Sequence, residues 1–147
     1  MQKVLTIQTI EYGSVLYKQA LDFRFKLLRK PLGLEWSAND LEGEDQQIHI
    51  AAICNDKVFG TLVLKLISQT KVKLRQMAVD NDLQGSGVGR KLIQFAENLA
   101  KTKGFEEMEI NAARKSVVGF YEKLGYKTVG EEFEAVTLKC INMLKVL

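Results

Sequence analysis

Gln84-Gly85-Ser86-Gly87-Val88-Gly89-Arg90 joins a β-rich run, Leu74–Val79, to the clearest helical stripe of the chain, Val88, Leu92, Phe95, Ala96, Leu99 and Ala100. Gly104 ends that stripe. The order of strand, glycine loop and helix decides the reading. Backbone amides at a helix N-terminus lack intrahelical acceptors and sit at the positive end of the helix dipole, so glycines there let a phosphate approach closely. Arg90 adds a cation in the first turn, an unfavourable place unless an anion offsets it. A pyrophosphate is the natural occupant. Two familiar loops are excluded by spacing. Gly89-Arg90-Lys91-Leu92 lacks the Lys and hydroxyl pair of a Walker loop, and Gly85, Gly87 and Gly89 alternate instead of following the dinucleotide fingerprint.

Upstream of the loop, the alternation in Lys3–Ile10 predicts a strand closed by Tyr12-Gly13, and Ser14 is placed to cap a helix. Leu16, Ala20, Phe23, Leu27 and Leu28 recur at helical spacing until Pro31 and Gly33. Ser37–Glu42 reads as a short second helix with Ser37 as its N-cap, and Gln47–Cys54 and Val58–Ile67 as a hairpin turning at Asn55-Asp56-Lys57. Downstream, Glu107–Ala112 is a strand, Ser116–Leu124 a helix stopped by Gly125, and Tyr126–Gly130 and Val136–Leu144 are closing strands. The pattern is a single mixed α/β domain over residues 1–147, with an antiparallel meander ahead of one helical crossover.

With 147 residues, 46% hydrophobic and 27% charged, the chain has the composition of one ordinary globular domain. Its net charge of +3 is spread without a basic block, so neither nucleic acid nor a membrane surface is expected as a partner. No apolar run reaches the ~20 residues of a membrane span, and the first residues lack a secretory signal pattern, so the cytoplasm is the expected location. Cys54 and Cys140 sit in apolar strand contexts without metal-ligand spacing and are expected as buried thiols; no metal is expected.

The pattern Gln-x-x-Gly-x-Gly at Gln84–Gly89, followed by Arg90, resembles the CoA pyrophosphate loop of the GNAT superfamily of N-acetyltransferases. Phe120-Tyr121-Glu122-Lys123-Leu124-Gly125-Tyr126 resembles that superfamily's helix end and turn into the sixth strand. The paired motifs span Leu74–Tyr126. The resemblance implies a mixed, mostly antiparallel sheet of about seven strands flanked by about four helices, with the fourth and fifth strands splayed. It also implies acetyl-CoA as acyl donor and a small-molecule or peptide amine as acceptor, in a monomer or homodimer. A non-catalytic acyl-CoA-binding regulatory module is the alternative, and a longer acyl donor a third reading.

The implied donor site uses the backbone of Met77, Ala78 and Val79, where an amide would stabilise the oxyanion formed on attack by the amine. The amides of Gln84, Gly85, Ser86, Gly87, Val88 and Gly89, with Arg90, would hold the diphosphate. Tyr121 falls where the family places a phenol near the CoA sulfur, and a phenol can donate a proton to a departing thiolate. Phe120 stands beside it. Asn111 could bind the pantetheine or the acceptor. Arg114 stands where many members carry Asn seven positions before the phenol, which leaves that inherited role in doubt; Arg114 or Lys115 could instead meet a CoA phosphate. Glu35, His49, Glu109 and a water chain are open choices for the base, His49 being the sole histidine. Glu42, Glu44, Asp45, Glu131, Glu132 and Glu134 read foremost as solvated loop charges, and otherwise as an acidic acceptor pocket suited to a cationic amine.

Overall fold

The computed structural model describes residues 5–36, 38–112, 115–135 and 138–147. The expected Ser37 cap and Arg114 therefore lie outside the described residues. Seven strands run in the hydrogen-bonded order β1-β2-β3-β4-β5-β7-β6, where β1 is Thr6–Ile10, β2 Ile48–Cys54, β3 Lys57–Leu66, β4 Lys71–Val79, β5 Glu107–Ala112, β6 Lys127–Ala135 and β7 Leu138–Val146. The β1–β2, β2–β3, β5–β7 and β6–β7 pairs are antiparallel and β4–β5 is parallel, giving the expected mixed α/β sheet. Among the described residues three helices reach nine residues or more: α1 (Val15–Arg24), α3 (Val88–Thr102) and α4 (Lys115–Lys123). A single-turn helix, α2, spans Ala38–Leu41. No helix among them is long and apolar enough to cross a membrane.

Two compact units are present, residues 1–65 with 76–96 and residues 66–75 with 97–147. In the first, Ser14 accepts from the Tyr17 amide and starts α1, whose Tyr17 and Ala20 pack with Ile10, Ala51 and Ile53. The expected helix continues past Arg24, but as a π-helical turn, Phe25–Arg29, then a 3-10 turn through Pro31. Asn55 and Asp56, at φ 50° and 60°, make the predicted hairpin a two-residue turn closing on Cys54 and Lys57. Gly60 in β3 brings sheet and helix together: a Cβ there would lie 2.9 Å from Leu92 Cδ1 of α3.

In the second unit α4 packs on β5 and β6 and ends at Gly125, whose φ of 97° permits the backward bonds from the Gly125 and Tyr126 amides to Glu122 and Tyr121. Strand β6 is longer than expected. Gly130 does not end it but marks a register shift between Val129 and Phe133, with φ 77°, after which pairing with β7 resumes. Glu131, Glu132 and Glu134 are thus exposed strand residues and not loop charges. Cys54 and Cys140 are buried and form no disulfide among the described residues.

Candidate active site

The glycine loop lies in the first unit. Asp80 donates its amide to the Phe59 carbonyl at 2.8 Å and caps a short 3-10 turn, Asn81–Leu83, by accepting from Asp82. Gln84 then ties loop to strand, its Nε2 donating to the Val79 carbonyl at 3.2 Å and to Asn81 Oδ1 at 3.1 Å. Ser86 Oγ donates to the Leu83 carbonyl. Gly85 and Gly87 hold φ of 86° and 90°, which side chains resist, while Gly89 has already entered α3. The first helical bond runs from the Lys91 amide to the Gly87 carbonyl at 3.0 Å, so the Val88, Gly89 and Arg90 amides precede any intrahelical acceptor. A Cβ added at either positive-φ glycine would meet no atom within 4 Å, and Arg90 is exposed. These features suit a diphosphate. Of the strand residues expected to serve the thioester, Ala78 is buried and Met77 and Val79 half-buried.

The same unit contains a polar cluster that sequence reasoning missed. Glu44, expected as a loop charge, is 1% exposed: Arg24 donates to both its oxygens, at 2.9 and 2.5 Å, and Tyr17 Oη donates to Oε1 at 2.7 Å. Burial, and then the bond to Glu44, push the Tyr17 phenol well above its ordinary pKa. His49 is buried beside them, with Nε2 2.7 Å from the Glu44 carbonyl and its ring edge-on to Tyr17 at 4.9 Å. A carbonyl only accepts, so Nε2 carries the hydrogen in this contact. Next to the cluster, Arg24 and Arg29 lie over the Trp36 ring at 5.3 and 5.2 Å, and Arg29 pairs with Asp40 at 2.9 Å. Glu35 is exposed and lines an open cleft of about 350 Å³ with Phe25, Lys26, Lys30, Gly33 and Leu34. Structure thus separates the candidate bases: Glu35 meets solvent in a cleft, while His49 is enclosed.

In the second unit Tyr121 is 4% exposed, and burial pushes its phenol up to about 12. Among the described residues its hydroxyl makes no hydrogen bond; its ring meets Phe120 at 5.3 Å and the edge of Tyr126 at 5.7 Å. Tyr126 is fixed in turn, donating to Glu97 Oε2 at 2.8 Å, and Lys145 pairs with Glu97 Oε1 at 3.0 Å. Of the two phenols of this turn, Tyr126 is hydrogen-bonded and, among the described residues, Tyr121 is not. Asn111 Oδ1 is buried without a partner, and Glu109 is half-buried in β5.

A mixed sheet with a glycine turn of positive φ at the mouth of α3 defines an α/β protein of mixed-sheet class. The family model described as "Acetyltransferase (GNAT) domain" matches residues 33–147. A Bacillus subtilis (strain 168) protein named as an acetyltransferase is 30% identical over 104 residues, which cover 70% of this chain and 68% of that one. The chain belongs to the GNAT acetyltransferase family. The same fold occurs in a Lactobacillus plantarum structure described as an N-acetyltransferase, with a TM-score of 0.87, 21% identity and coverage of 98% of this chain and 99% of that one. It also occurs in a GNAT family acetyltransferase from Elizabethkingia anophelis with acetyl-CoA bound, at a TM-score of 0.74, 18% identity and coverage of 97% and 98%.

Proposed function

We propose that the chain is an N-acetyltransferase, one domain over residues 1–147, that moves acetyl from acetyl-CoA to a primary amine. The observation that carries this reading is the loop at the start of α3, where Gly85 and Gly87 hold positive φ and three amides open beside Arg90. These groups and the Gln84, Ser86 and Gly89 backbone hold the CoA diphosphate. Arg114 or Lys115 meets a further CoA phosphate, and Asn111 the pantetheine. Met77, Ala78 and Val79 present backbone amides to the thioester carbonyl; one such donor is worth ~3 kcal/mol in comparable sites.

The amine attacks the carbonyl directly, the C–N bond forms, the C–S bond breaks, and the amine proton leaves to a base. Glu35 is the better-placed base, exposed in the wall of the Phe25–Lys30 cleft, which we assign to the acceptor. Tyr121 acts as the general acid at sulfur, beside Phe120. At about 12 its phenol stays protonated throughout any working pH. A CoA thiol, with a pKa of ~8.5, is the stronger acid, so the phenol contributes chiefly by a hydrogen bond that strengthens as charge builds on sulfur.

The test is to mix the purified chain and acetyl-CoA with a broad panel of amines and follow release of free thiol. Thiol release matched by acetylated amine supports the reading. CoA binding without turnover on any amine would favour the regulatory module.

A further inference from the structure

Gln76 is the one described strand residue, glycine apart, whose backbone has positive φ, at 55°. The other two positive-φ residues that are not glycine, Asn55 and Asp56, make the hairpin turn, where such angles belong. A long side chain in that region is strained by roughly 1–2 kcal/mol. The same residue carries a second cost: its side-chain carbonyl Oε1 is buried and accepts no hydrogen bond. An unpaired buried acceptor forfeits about 1–3 kcal/mol. Strain and an orphaned polar atom on one residue are expected where a structure is prepared for something it binds.

The position gives the binding chemistry. Ladder pairing of β4 with β5 runs from Lys71↔Glu107 to Leu74↔Ile110, and Gln76 follows two residues later. The irregularity turns the backbone immediately ahead of Met77–Val79, the segment assigned to the acyl donor. An amide oxygen accepts only from N–H or O–H groups. The pantetheine arm of CoA offers amide N–H groups, and the attacking amine offers its own.

We propose that Gln76 is a substrate-binding residue whose Oε1 accepts a hydrogen bond from an N–H of the bound substrates, a role that rests on the acyl-transfer reading. Its Oε1 is closed to solvent and without a partner in the unliganded chain, so the substrates reach it by displacing the groups that cover it.

Three variants of the full chain test this. Gln76→Leu removes the acceptor at similar size, Gln76→Met does so with an unbranched chain should the first not fold, and Gln76→Glu keeps an acceptor. Calorimetry compares CoA with 3′-phospho-ADP, which lacks the pantetheine arm, and steady-state kinetics compare KM for the amine. If the arm supplies the N–H, Gln76→Leu weakens CoA about tenfold and leaves 3′-phospho-ADP unchanged. If the amine supplies it, CoA binding stays put while KM for the amine rises about tenfold. Gln76→Glu stays near wild type in either case. The proposal is overturned if removing the acceptor changes neither quantity, or weakens CoA and 3′-phospho-ADP equally. Failure of the wild-type chain to bind CoA at all would instead strike the acyl-transfer reading before any variant is compared.

Discussion

Between Gln84 and Arg90 every residue except Val88 and Gly89 is exposed, and the groups proposed to bind are backbone amides. Around Glu44 the situation is reversed: the side chains of Glu44 and Arg24 are 0% and 1% exposed, and Tyr17 and Arg24 reach its carboxylate through side-chain atoms. The loop is defined by φ angles and a helix start, so its backbone geometry depends on Gly85 and Gly87 more than on the exposed side chains. The cluster is defined by charge balance in a dry place, so any one member matters more than its shape. The first sits at the surface and is local in sequence. Order in the second is assembled from residues 20 and 27 positions apart.

Breaking the cluster should give the largest effect. Glu44→Ala strands the buried Arg24 guanidinium and is expected to cost about 3–5 kcal/mol in urea unfolding. A double change that also replaces Arg24 with Met should recover much of that, since an apolar pair leaves no lone charge; no recovery would mean that Glu44 acts through some other contact. At the catalytic end, Tyr121→Phe should lower kcat about a hundredfold with CoA affinity little changed. Equal loss of both would reduce Tyr121 to a packing residue. For the loop, Gly87→Ala should weaken CoA binding and cost ~1–2 kcal/mol in stability, through backbone angle alone because nothing lies within 4 Å of the added methyl. Gly60→Ala sharpens the contrast from below the loop: its methyl meets Leu92 Cδ1, the end of a movable side chain, and about 1 kcal/mol is expected in thermal unfolding.

The smallest effect concerns pH. Tyr121 ionises near 10 when unfolded and near 12 when folded, so between these values the unfolded chain has released a proton that the folded chain retains. Its contribution to stability is fully present below pH 10 and is lost as pH rises toward 12. Ultraviolet titration should find this loss absent from Tyr121→Phe.

Much of this was legible because it was local. Asn55-Asp56 between two β-rich runs, and glycines ahead of a periodic apolar stripe, each carry their reason within a few residues. Glu44 was not legible: an acid in an acidic, polar stretch has the signature of a surface loop, and nothing nearby announces Tyr17 or Arg24. Gly130 misled for a related cause, since a glycine that ends a strand and one that bulges it look alike until the partner strand is known. Arg24–Arg29 lost the expected α-helical register where the helix widens into a π turn. Gln76 left no trace either, because nothing in Leu74-Arg75-Gln76-Met77 marks a residue of positive φ.

The chain has one tryptophan, and the fold sets Trp36 against two guanidinium groups beside the residue given to the base. Indole emission shifts with the electric field across the ring, so an arriving acceptor that disturbs either arginine would change the colour of the protein's own fluorescence, and occupancy could be followed with no label attached.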